Sequence, residues 1–139
     1  MSEVIRITHL ITGLRIGGAE MMLYKLIKGT QGQDFEHRVL SLTEDGPIGE
    51  RIRKLKVDVE ILGMEKSLAW FHGYLKTGKV LRKLKSDLLQ TWLYHSDYVG
   101  AQFSNIPVIW NIQNGKLDPV QSPKTTRFVQ RLCKNISTK

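Results

Sequence analysis

Several features that would place a chain in a class at once are scarce or missing here. There is one cysteine, Cys133, among 139 residues. That excludes an internal disulfide, and on its apolar helix stripe the thiol reads as a buried packing group. No stretch of 18 apolar residues occurs, nor a leader with a charged start and an apolar middle. The chain is therefore expected to be cytoplasmic and not to span a membrane. No Cys, His or Asp cluster has metal-ligand spacing, so neither a bound metal nor a bound cofactor is expected. G-x-G-x-x-G and G-x-x-x-x-G-K-[ST] are both absent, which leaves no recognised phosphate-binding fingerprint. Acid is short as well: 13 Asp and Glu face 21 Lys and Arg, for a net charge of +8. That balance favours anionic partners without choosing among phosphates, nucleic acid and acidic lipid. Repeats and low-complexity tracts are missing, and the length suits one domain with a core of its own.

What is present is organised around residues 4–28, VIRITHLITGLRIGGAEMMLYKLIK. Ile5, Ile7, Leu10 and Ile11 with Thr8 form an apolar, β-branched run, read as a strand covered on both faces. Gly13, Gly17 and Gly18 follow, where the backbone is expected to take positive φ or to approach a ligand closely. From Ala19 the period becomes helical: Ala19, Met22, Leu23, Leu26 and Ile27 share one face, and Gly29 is expected to close the helix. A helix that starts at a glycine turn after a buried strand points free N–H groups and its positive dipole end at the strand's carboxyl edge, where an anion is stabilised. The same spacing also serves as a plain βα turn.

The remaining chain repeats the alternation. A second strand is expected over His37 to Thr43, with Pro47 opening a short helix that buries Ile48, Ile52 and Leu55. Val57, Val59 and Ile61 alternate with Asp58 and Glu60, the pattern of an edge strand with one wet face. A longer helix carries Phe71, Tyr74, Leu75, Gly78, Leu81 and Leu84 at helical spacing. A fourth strand spans Leu88 to Leu93, after which Ser96 or Asp97 is expected to cap a short helix. A fifth strand, Val108 to Ile112, ends in Gln113, Asn114 and Gly115, and a last helix buries Phe128, Val129, Leu132, Cys133 and Ile136. Such an order predicts an α/β, Rossmann-like parallel sheet of about five strands, order 3-2-1-4-5, with helices on both faces. Ligands of this fold collect beyond the carboxyl ends at the switch between strands 1 and 4. Gly17, Gly18, His95 and Asn111 to Asn114 are placed there.

GLRIGGAE (residues 13–20), QTWLYHSDYVGA (90–101) and PVIWNIQNG (107–115), followed by KTTRFVQRLCKNIS, together resemble the amino-terminal domain of the group 1 glycosyltransferases, retaining enzymes of the GT-B fold. The resemblance covers nearly the whole chain. It implies an acceptor-side domain that works with a nucleotide sugar as co-substrate and a glycan or lipid-linked acceptor, in cell-surface polysaccharide or glycolipid synthesis. No nucleic acid is expected as a partner. It implies that Gly17 and Gly18, with Arg15 in the same loop, approach the donor diphosphate or the acceptor, and that His95 lines the acceptor side with Asn111 and Asn114. Position 114 is often histidine in related sequences; an amide there hydrogen-bonds but carries no charge. The family's donor domain, with its pair of glutamates near a helix start, has no counterpart in residues 1–139. The expectation is a truncated or excised half of a two-domain enzyme, inactive alone.

His95 is the candidate catalytic or acceptor residue because of its address at a strand end. His9, His37 and His72 read as structural or solvated, Trp92 and Trp110 as core. Trp70, Phe71 and Tyr74 followed by Lys76, Lys79, Arg82 and Lys83 combine interfacial aromatics with cations, a membrane-facing candidate segment for peripheral docking at the inner face of an anionic membrane. Two other functions fit the same residues: a stand-alone dinucleotide-binding domain of an oxidoreductase, with Glu44 or Asp45 as the ribose-binding acid, and a non-catalytic module that binds anions or membrane.

Overall fold

The computed structural model describes residues 3–64 and 70–111, and the side chains of 70–72 are outside that description. Five strands and four helices alternate: β1 Ile5–Ile11, α1 Gly18–Thr30, β2 Phe35–Ser41, α2 Pro47–Lys54, β3 Asp58–Ile61, α3 Trp70–Lys83, β4 Leu88–Trp92, α4 Tyr94–Phe103 and β5 Val108–Asn111. The strands form one parallel sheet in the order β3-β2-β1-β4-β5. This is the expected Rossmann-like architecture. The loop, helix and Cys133 expected beyond β5 lie outside the described residues, as do Asn114 and the side chains of Trp70, Phe71 and His72.

Each face of the sheet carries its own core. Ile11, Val39 and Trp92 pack against Leu23 and Ile27 of α1 and Ile48 and Ile52 of α2. Leu10, Leu40 and Leu89 point the other way, onto Leu81 of α3 and Val99 of α4. The division follows from the strand period of two read through the register that aligns Ile11 with Ser41 and with Trp92. Pro47 stands in the first turn of α2, and Asp58 and Glu60 are exposed on the outer strand β3, both as the sequence pattern predicts.

Local expectations fail where a polar group or a glycine has a tertiary partner. β1 is covered on both faces only in its carboxyl half, since Ile5 is exposed. Gly29 does not close α1; the helix runs to Thr30, whose hydroxyl donates to the Leu26 carbonyl at 2.7 Å, and the left-handed glycine is Gly32 in the turn after it. Gly13, Gly17 and Gly18 all lie outside the left-handed region. Met22 and Leu75 sit exposed on their helices, and the buried stripe of α3 instead includes Thr77. Trp92 is core, whereas Trp110, on the outer strand β5, is half-buried.

The α1 face contains a chain of hydrogen bonds between buried polar groups. Trp92 Nε1 lies 3.3 Å from His9 Nδ1, His9 Nε2 lies 3.0 Å from His37 Nδ1, and His37 Nε2 lies 2.8 Å from Thr30 Oγ1. An indole nitrogen only donates. Trp92 therefore makes His9 Nδ1 an acceptor, which places the His9 proton on Nε2, makes His37 Nδ1 an acceptor in turn, and leaves His37 Nε2–H to donate to Thr30. Thr30 passes its own proton to the Leu26 carbonyl. Every ring nitrogen has one partner, and no lone pair is left for an added proton. Burial pushes His9 down to about 3, with His37 beside it acting in the same direction, and burial also lowers His37. Both are neutral scaffold groups joining β1, β2, β4 and α1.

Candidate functional site

Beyond the carboxyl ends of β1 and β4 the chain leaves the sheet on both sides of the switch in strand order, the position at which open α/β sheets form their ligand crevice. The β1–α1 loop forms one wall. It is locked to the loop after β2: Thr43 donates its backbone N–H and its hydroxyl to the Thr12 carbonyl at 2.9 and 2.5 Å, and Ile48 N–H reaches the Leu14 carbonyl at 3.2 Å. Gly46 passes so close to the Leu14 carbonyl that no side chain fits between the two loops. Gly17 is extended backbone at φ −163°, and a Cβ there would run into the carboxylate of Glu20 in the first turn of α1. Gly18 is exposed, with nothing near a Cβ built on it.

Arg15 reaches from this loop to Glu44, Nη2 to Oε2 2.6 Å, with its side chain 76% exposed. Glu20 at the α1 N-terminus and Glu44 on Arg15 already supply negative charge to the two positive features of the loop. An incoming phosphate has to compete with both, while a neutral hydroxyl finds acceptors in place.

The β4–α4 elbow forms the other wall. Leu93, the residue between β4 and α4, has φ 73° and ψ 155°, a conformation that a side-chain-bearing residue adopts only at an energetic penalty of roughly 1–3 kcal/mol. α4 starts at Tyr94, one turn earlier than expected, so Ser96 and Asp97 are not caps. They lie within the first turn and face inward, both buried. Asp97 N–H bonds the Leu93 carbonyl at 3.0 Å, and the Asp97 carboxyl takes the Thr91 hydroxyl at 2.6 Å. Burial raises the Asp97 carboxyl to about 6, against the Thr91 hydrogen bond, which favours the ionised form. Ser96 Oγ approaches Thr12 Oγ1 at 3.4 Å and so links the two walls.

Of the residues singled out from sequence, the structure brings the 13–18 loop, His95 and Asn111 to one edge. His95 is half-buried in the first turn of α4, and Asn111 ends β5 opposite Trp92. Sequence reasoning missed Thr12, Thr91 and Ser96. A signal for the last was available, because Ser96, Asp97 and Gly100 recur at helical spacing, but their polarity hid the buried stripe. Lys76, Lys79, Arg82 and Lys83 are exposed on α3 with no acid in that helix. Among the described residues no group of three His, Cys, Asp or Glu could hold a metal ion, and no helix is long and apolar enough to cross a membrane.

No family model matches the chain, and no curated protein matches it. Solved structures do. Anabaena Alr3699/HepE in complex with UDP-glucose matches at a TM-score of 0.72 and 20% identity. The same protein with UDP, and with UDP and glucose, matches at 0.71 and 20% identity. In each case the match covers 96% of this chain and 35% of the other, so the chain spans about a third of the length of the proteins it matches. The likeness establishes the fold: the described residues take a Rossmann-like α/β form.

Proposed function

We propose that the chain is the acceptor-side domain of a retaining, GT-B type glycosyltransferase that uses a nucleotide-sugar donor, and that its acceptor is a glycan or lipid-linked saccharide of cell-surface synthesis. The observation that carries this is the likeness over 96% of the chain to a protein solved with UDP-glucose. The motifs in residues 13–20, 90–101 and 107–115, which resemble group 1 glycosyltransferases, support it and fall on the crevice walls as far as residue 111. In this reading His95 and Asn111 contact the acceptor, Gly18 leaves it room, and the donor is held mainly by a second domain. The leaving diphosphate is stabilised there by preorganised donors and charges.

The exposed cations of α3 supply the second part of the proposal, peripheral docking on an anionic membrane surface. Four cations at roughly 1 kcal/mol each give reversible, salt-sensitive attachment. Calorimetry on the chain tests the main reading. Weak heats with UDP-glucose, none with a nicotinamide dinucleotide, and no sugar transfer by the chain alone are expected. Tight nicotinamide binding would replace the reading with the dinucleotide-domain alternative, and turnover by the chain alone would refute the division of labour.

A further inference from the structure

We propose that Thr91 and Asp97 form a positioning pair that holds the β4–α4 elbow in its strained conformation and so sets where Tyr94 and His95 stand in the crevice. Thr91 grips α4 with both branches of its side chain. Its hydroxyl donates to Asp97 Oδ1 at 2.6 Å, and its methyl occupies the space beside Gly100, where a Cβ would come within 2.6 Å of Thr91 Cγ2. Asp97 and Gly100 are three residues apart and share a helix face. The pair therefore fixes the rotation and height of the first turn of α4 over β4. Tyr94, His95 and Ser96 lie between this anchor and Leu93, leaving them no independent freedom.

The pair is more than packing requires. Burying a carboxyl group with one hydrogen-bond donor is unfavourable, and an apolar pair of the same shape would tie helix to strand at less expense. The same turn holds Leu93 at φ 73°. Two unfavourable features within five residues, both at the carboxyl edge of a central strand, are what a surrounding fold maintains for a site.

Among the described residues, the charged and titratable surroundings of Asp97 are few. Tyr94, His95 and Tyr98 share its helix, while β4 and β5 contribute none. α3 brings Tyr74, whose ring meets that of Tyr98 at 6.1 Å, and its exposed cations. β1 carries Arg6, engaged by Asp87 at 3.0 Å, and His9 on the other face of the sheet. Burial of the acid is the dominant influence on its proton.

The proposal rests on the acceptor reading only for the identity of what His95 meets, and its test needs no activity. Amide exchange and the His95 ring signals are followed by NMR on the 139-residue chain between pH 5 and 7.5. The wild type, Thr91→Ser, Thr91→Val and Asp97→Asn are compared. Thr91→Val, which keeps the shape and removes the hydroxyl, is expected to speed exchange across residues 93–96 about ten-fold, with Thr91→Ser within about two-fold of wild type. Elbow amides of the wild type should show an inflection near pH 6 that Asp97→Asn, which keeps the acceptor oxygen, abolishes. If Thr91→Val and Asp97→Asn only lower the unfolding midpoint and leave elbow exchange and the His95 signals unchanged, the pair is structural and the proposal fails. If the elbow responds as expected but no oligosaccharide in an acceptor panel shifts His95, the positioning role stands and the acceptor reading falls.

Discussion

The two faces of the sheet treat buried polar groups in opposite ways. On the α1 face, Trp92, His9, His37, Thr30 and the Leu26 carbonyl form a directed chain in which each donor has an acceptor, and both imidazoles are held neutral. On the α4 face, a buried acid has one short bond to Thr91, Ser96 has a 3.4 Å contact with Thr12, and Leu93 is strained. A fully satisfied network rigidifies and specifies a core; strained backbone held in place by its surroundings is a feature that clusters at functional sites. In the proposed function the first face is scaffold and the second carries the site, although both networks lie within a few residues of each other on β1 and β4.

The largest effect is expected from breaking the satisfied side. His9→Leu leaves the Trp92 indole N–H and the His37 Nδ1 acceptor buried without partners. It should lower unfolding free energy in urea by about 2–6 kcal/mol, at about 1–3 kcal/mol for each of the two orphaned groups. Ligand-induced shifts at the crevice should survive in whatever remains folded.

Acid separates the two faces by sign. His9 lies at about 3 when folded and His37 is also lowered, against an ordinary 6.5 when unfolded. The unfolded chain therefore takes up those protons first, and the contribution of this network is whole above pH 6.5 and lost as pH falls toward 3. Asp97 runs the other way, from an ordinary 3.8 up to about 6. Its contribution is present below 3.8 and lost as pH rises through 6. Between pH 4 and 6 the two partly cancel. Asp97→Asn should steepen the loss of stability on acidification, measured as urea midpoints across that range, and a shallower decline would contradict the assignment.

Trp92→Phe removes the first donor of the chain and leaves a gap where the larger ring was fully buried. Its expected destabilisation is about 2–4 kcal/mol, with the His9 ring nitrogens losing their fixed tautomer by NMR. His95→Ala is the smallest in stability, since the residue is half-buried: under about 1 kcal/mol. It should nonetheless reduce acceptor-dependent rate in a complete enzyme about ten-fold or more, and the reverse pattern would make His95 structural.

How much of this was legible before the structure depends on how far apart the partners lie in sequence. The sheet order was legible because Asp58 and Glu60 alternate with Val59 and Ile61 while the other strands run apolar, a signal contained in each segment. The address of His95 and Asn111 followed from that order alone. Thr12 and Ser96 meet across 84 positions and Trp92 meets His9 across 83, so no local pattern could pair them. Ser96 and Asp97 were misread as caps because polar residues after a strand favour helix starts. Their burial depends on Thr91 and Gly100, and polarity alone cannot signal it. The glycine spacing is a weak signal for a related reason: Gly13, Gly17 and Gly18 all lie outside the left-handed region, and spacing alone does not say what a glycine makes room for.

The division between scaffold face and site face is tested most directly by amide shift mapping of the chain with UDP-glucose and with glucose. Shifts confined to residues 12–18, 93–97 and 111, with the amides of His9 and His37 and those on α2 unmoved, are the expected result. Shifts centred on the His9–His37 chain or on α2, with the 93–97 elbow silent, would contradict the account.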